Sequence, residues 1–173
     1  MSQPLDPKQT ITEAFGDALE SAEEFRGELT LIVKAEKIIE VATYLRDGEG
    51  LKYNLLSDMA VIDYFPAEPR FGVCYHMYSM AFNRRLRVKV MWSDGDAPIP
   101  SVTGIWPSAN WEEREAYDMM GILFSGHPYL KRVLMPDDWQ GFPQRKDYPL
   151  GYETIQFSFN YDEIAKHKPF AKK

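Results

Sequence analysis

Between Asn110 and Pro149 the chain gathers charged and titratable side chains at spacings that could do chemistry. On a helix, Trp111, Arg114, Glu115 and Asp118 fall at i, i+3, i+4 and i+7, so Glu115 and Asp118 stand within one turn of each other. Two such carboxylates act as general acid and base only where their surroundings split their pKa values. With Arg114 and Arg132 as counter-ions they read instead as a polar helix face. Exposed ion pairs of that kind contribute only about 0.2–1 kcal/mol each, whereas a partner that desolvates them makes their pairing decide specificity. His127 is held extended by Pro128 and could be a base oriented by Glu115 or Asp118. No Ser or Cys nucleophile stands in a recognisable motif, however, and a hydrogen-bonded turn residue is the simpler role. In Arg145-Lys146-Asp147-Tyr148-Pro149 an acid interrupts two bases, a pattern suited to anchoring the segment more than to holding nucleic acid.

Other chemistries are poorly supplied. Cys74 is the only cysteine, which leaves no intramolecular disulfide and no thiolate cluster for an iron–sulfur centre. His76, His127 and His167 match no zinc spacing, and Asp47-Gly48-Glu49-Gly50 is too acidic, and wrongly placed after a helix, to cradle phosphates. Arg84, Arg85, Arg87 and Lys89 read as charges guarding an edge hairpin against pairing, with phosphate binding the weaker reading. Up to Arg70 the chain carries 14 acidic and 7 basic residues, and after it 12 and 13. An acidic half joined to a near-neutral one argues against nucleic acid and fits a protein partner.

The elements that would position these groups follow from periodicity. The 173 residues, 45% hydrophobic and 27% charged, suit one soluble core. No segment is long and apolar enough to span a bilayer, and the start lacks the features of a signal or transit peptide. Residues 1–11 read as a loose arm. Ile11, Phe15, Ala18, Leu19 and Ala22 suggest an amphipathic helix from Thr12 to Gly27. A strand at Leu29–Val33 and a helix from Ala35 to Leu45 follow, then two short strands with a turn between Tyr53 and Tyr64. Phe71–Met80 and Leu86–Trp92 alternate as a hairpin. A helix starts at Ser108 or Asn110, with Asn110 and Glu113 spaced as a capping box, and ends at Gly121. From 126 to 173 prolines punctuate an aromatic-rich extended tail that must lie on an apolar surface, its own or a partner's. The fold expected over 12–125 is an α+β (α/β) sandwich, a small mixed sheet with helices on one face.

The run Glu113-Arg114-Glu115-Ala116-Tyr117-Asp118-Met119-Met120-Gly121 is followed by Phe124, Gly126-His127-Pro128 and Lys131-Arg132-Val133-Leu134-Met135-Pro136. Trp139, Gly141, Pro143 and Arg145-Lys146-Asp147-Tyr148-Pro149-Leu150 complete the pattern, with Leu56-Ser57-Asp58 and Tyr75-His76-Met77-Tyr78-Ser79 upstream. In these residues the chain resembles the C subunits, the 30-kilodalton type, of proton-translocating NADH:quinone oxidoreductase, respiratory complex I. Most of the chain from about residue 28 is covered. Phe142 stands where His is frequent in that family, and Gln144 where an apolar residue often precedes Arg145. Similar subunits serve cyanobacterial-type dehydrogenases and membrane-bound hydrogenases, so the branch stays open.

The resemblance implies a peripheral-arm subunit with no catalytic centre or cofactor of its own. NAD, FMN, iron–sulfur clusters and quinone would all belong to other subunits. It implies a place on the cytoplasmic side of the inner membrane, reached only through the complex, and docking to the D (49-kilodalton-type) and iron–sulfur subunits. Glu113, Arg114, Glu115, Asp118, His127, Arg132, Arg145, Lys146 and Asp147 are then the residues expected to fix the helix, anchor the tail and meet the partners. The chain would also stand apart from the D subunit instead of being fused to it. Two competing expectations are a free-standing acid/base enzyme using His127 and, least favoured by the charge, a nucleic-acid module using Arg84 to Lys89.

Overall fold

A computed structural model of the chain describes residues 3–149 and Lys166. Its elements run α1 (Pro7–Ala14), β1 (Leu19–Phe25), β2 (Glu28–Val33), a 3-10 turn, α2 (Ile38–Asp47), β3 (Leu55–Asp63), β4 (Phe71–Ser79) and β5 (Arg84–Trp92). Two-residue strands β6 (Ile99–Pro100) and β7 (Phe124–Ser125) bracket α3 (Ala109–Met120). The larger sheet has the order β1-β2-β5-β4-β3. Its pairs are antiparallel except β2 with β5, which run parallel. The sheet is therefore mixed, as the pattern suggested.

Alternation decides which face is covered. Val73, Tyr75 and Met77 of β4 sit opposite Val90, Val88 and Leu86 of β5, and all are buried. With Leu31 and Val33 they form one core with Ile11 of α1, Ile38, Val41, Ala42 and Leu45 of α2, and Ala116 and Met119 of α3. Burying each large aliphatic side chain contributes about 1.5–3 kcal/mol. The opposite face carries His76, Tyr78, Arg85, Arg87 and Lys89.

Several expectations are corrected. The helix expected over Thr12–Gly27 is instead the shorter α1, capped by Asp6, whose carboxylate accepts the Lys8 N–H at 3.0 Å. It begins inside the stretch read as a loose arm, and Ile11 is fully buried. Residues 19–25 are a strand, because Arg26 and Gly27 both adopt positive φ (53° and 78°) and turn the chain tightly into β2. Tyr53 to Tyr64 holds one strand, not two, with the register shift between Leu56 and Asp58 marking a bulge. The Phe71–Trp92 hairpin lies in the middle of the sheet, so its basic residues guard no edge: Arg85, Arg87 and Lys89 line an open sheet face, while Arg84 lies on the other side and donates to the Leu5 carbonyl at 3.1 Å. Finally, Glu113 does not cap α3. It is buried on the helix's inner side, and the helix starts at Ala109 after Ser108, with no side-chain cap.

Of the tail expected over 126–173, the part through Pro149 is described and contains no helix or strand. It lies against its own body. Tyr152, Phe157, Phe159 and Tyr161 lie outside the described residues.

Candidate functional site

The charged residues converge on the C-terminal end of α3, where residues 131–147 fold back over it. Asp118 is fully buried, and its Oδ2 accepts three successive backbone N–H groups, from Val133 (2.9 Å), Leu134 (2.7 Å) and Met135 (2.9 Å). Its Oδ1 takes a hydrogen bond from Arg132 Nη1 at 2.6 Å. Burial alone would raise this carboxyl's pKa, but the Met135 N–H, Arg132 and the other two amides outweigh it and hold it below the usual range. Arg132 also donates to the carbonyls of Asp118, Trp139 and Gly141. One carboxylate and one guanidinium thus fasten two turns of the tail to the helix.

Gly121 ends α3 in the left-handed region, at φ 78°, and leaves space for the next clamp. A Cβ there would come within 2.6 Å of Phe142 and 2.7 Å of Arg145 Nη2. Arg145 lies between the Phe71 and Phe142 rings, donates to Met120 O at 2.6 Å, and grips both oxygens of Asp94 at 2.8 and 2.9 Å. Beside it the buried Arg70 binds both oxygens of Asp63 and both of Asp147. Asp63 would be pushed up by burial, yet Arg70 and the N–H groups of Lys146 and Phe65 bring it down to about 2. Asp147 is lowered chiefly by Arg70, and Arg70 is raised by Asp63 and Asp147. Lys146 contributes its backbone N–H to Asp63, and its side chain stays exposed. Asp63, Arg70 and Asp94 were not singled out by sequence; they lie 51–83 residues from the tail groups they bind.

The N-terminal half of α3 is different. Glu113 is fully buried; its Oε1 accepts the Val102 N–H at 2.7 Å, and its Oε2 has no hydrogen-bond partner. Burial, only partly offset by Ser101 and Val102, pushes it up to about 7. Glu112 is also pushed up to about 7 by burial, with Asp58, Glu115 and Glu113 adding to it. Glu115 is exposed and makes no ion pair among the described residues. It and Asp118 are therefore not a catalytic pair: one faces solvent and the other is enclosed.

His127 has both ring nitrogens engaged. Its Nδ1 accepts the Tyr129 N–H at 3.0 Å, and Nε2 lies 3.2 Å from the Asn110 carbonyl, so the ring bridges two backbone segments. Neither Glu115 nor Asp118 orients it. Among the described residues no three His, Cys, Asp or Glu side chains stand close enough to share a metal, and none of the helices is long and apolar enough to cross a membrane.

Residues 31–154 match the family described as respiratory-chain NADH dehydrogenase, 30 Kd subunit. The chain belongs to that family. It is 48% identical over 164 residues to the NADH-quinone oxidoreductase C subunit of Roseiflexus sp. (strain RS-1), covering 95% of this chain and 94% of that one. With the protein of the same name from Citrifermentans bemidjiense it is 51% identical over 140 residues, 81% of this chain and 86% of the relative. Among solved structures, a trypsin-resistant fragment (1–134) of Nqo5 superimposes with a TM-score of 0.60 at 32% identity, covering 71% of this chain and 98% of the fragment. A chain from the structure of a membrane-bound sulfane sulfur reductase, an archaeal respiratory membrane complex, shares the fold: TM-score 0.67 at 21% identity over 97% of both chains. This 30 Kd subunit thus carries its family's sheet and helices, and it is a subunit of an NADH-quinone oxidoreductase.

Proposed function

We propose that this chain is a non-catalytic subunit of the peripheral arm of complex I, with a role in assembly and in docking the D (49-kilodalton-type) subunit. Electrons from NADH would pass through FMN and iron–sulfur centres to quinone on neighbouring chains. This chain would need no cofactor, and would sit on the cytoplasmic side of the inner membrane, held there by the complex. The observation that carries the reading is where the acid–base groups go. Asp118, Arg132, Arg145, Asp147 and both nitrogens of His127 are consumed in bonds that hold the chain to itself. A general acid or base needs a free lone pair or proton within reach of substrate, which speaks against a stand-alone enzyme built on His127.

The test is purification of a tagged chain from gently solubilised membranes. Recovery of D-type and iron–sulfur subunits with NADH:quinone activity supports the proposal. Recovery with a hydrogenase large subunit would move it to the related branch, and a solitary chain that turns over substrate, with loss on His127→Ala, would overturn it.

A further inference from the structure

Six arginines are at least partly covered, and five of them, Arg46, Arg70, Arg87, Arg132 and Arg145, have a carboxylate within 4 Å. Arg114 is the exception among the described residues. Its guanidinium lies over the Trp111 ring at 4.8 Å and the Tyr129 ring at 5.5 Å from the centroids, and the Lys131 ammonium stands 4.9 Å from the centroid of the same Tyr129 ring. Two of its nitrogens are fixed: Nε donates to Lys131 O at 3.0 Å and Nη2 to Arg132 O at 3.1 Å. Nη1 has no hydrogen-bond partner among the described residues. The carbonyls that hold it belong to the same loop that Asp118 pins through Val133, Leu134 and Met135, so the fork is rigidly presented. The rings beside it are exposed, Trp111 by 62% and Tyr129 by 54%.

Trp, Tyr and Arg are the residue types that dominate binding energy at protein interfaces. A guanidinium already oriented loses less entropy on binding, and its planar geometry matches a carboxylate. Cation–π contact holds the charge in place without neutralising it. The acid of the same turn, Glu115, pairs with neither cation. We propose that Arg114 and Lys131, framed by Trp111 and Tyr129, form the receptor for an Asp or Glu carboxylate on another subunit, whose apolar neighbours cover the two rings. The proposal rests on the reading of the chain as a complex subunit.

The test uses the intact membrane complex and the free full-length chain. Water-soluble carbodiimide joins a lysine amine directly to a carboxylate it touches, and mass spectrometry locates the link. Lys131 is expected to couple to an Asp or Glu of another subunit, and hydroxyl-radical oxidation of Trp111 and Tyr129 to fall about tenfold in the complex, as for buried anchors. Lys131→Glu, at an exposed position and with unfolding of the free chain measured alongside, should lower recovery of the complex about tenfold, while Lys131→Arg restores it. If the chain co-purifies with its complex while both rings oxidise as in the free chain, or Lys131 couples only to acids of its own chain, the receptor is wrong and the subunit reading survives. If it purifies alone, both fall.

Discussion

Glu113 and Asp118 lie on the same helix and are both closed to solvent, Glu113 the deeper of the two, and their carboxyls are shifted in opposite directions. At the C-terminal end of α3 a returning loop offers three amides and an arginine, and the charged form is the stable one. In its N-terminal half the crossover segment offers one amide to Glu113, and its second oxygen meets none. Burial sets the cost of the charge; the number of donors decides whether the charge survives it. The half of the helix that fastens the tail is thereby built on ions, and the half facing Val102 on a carboxyl that titrates at about 7.

The largest effect is expected from Asp118→Ala, which strands Arg132 and releases three amides. Loss of about 3–5 kcal/mol in urea unfolding is expected, with faster amide exchange at Val133, Leu134 and Met135. A loss under about 1 kcal/mol would show that the loop holds without it. Arg70→Ala should cost about 3 kcal/mol by leaving Asp63 charged and unpaired. Adding Asp63→Ala should cost less than the two single changes together, since the second removes the charge the first stranded.

Glu113 sharpens the contrast through pH. Its folded pKa of about 7 lies above the ordinary 4.5, so its stabilising contribution is complete below about pH 4.5 and is lost as pH rises through 7. Asp63, lowered from 3.8 to about 2, does the reverse: its contribution is present above about pH 4 and is lost as pH falls through 2. Asp118, also lowered, has the same sign as Asp63. Glu113→Gln should accordingly raise stability by about 1–3 kcal/mol at pH 8 and change little at pH 4, measured by chemical unfolding at both. An equal effect at the two pH values would mean that Glu113 titrates normally. The smallest effect belongs to Glu115→Gln, which should leave unfolding of the isolated chain within about 0.5 kcal/mol.

Local patterns carried much of the fold. The alternation expected over Phe71–Met80 and Leu86–Trp92 appears as the strands Phe71–Ser79 and Arg84–Trp92, and the α2 stripe and the Gly121 stop are found as well. Residues 19–25 misled because an acidic edge strand buries little, and Glu and Ala spaced at three and four residues imitate a helix face; pairing with β2 decides the matter. The centrality of β5 depends on β2, far earlier in the chain, and no local pattern reports it. At the site, Arg132, Arg145 and Asp147 were visible as charges on a proline-rich segment. Their partners were not, because Asp63, Arg70 and Asp94 belong to strand ends that only the folded sheet brings near. Nor did spacing reveal that Glu113 points inward: a capping box and a buried acid look alike in sequence.

The parallel pairing of β2 with β5 sets an order on the growing polypeptide. Thr30, Leu31 and Ile32 are made early, but the strand that pairs with them, β5, cannot form until Arg84–Trp92 has been synthesised. Until then the β2 edge of the β1–β2 hairpin is unpaired and α2 has little to rest on. The first third of the chain must wait, exposed, for its centre to arrive, which makes it the stretch where a chaperone would have the longest opportunity to bind during translation.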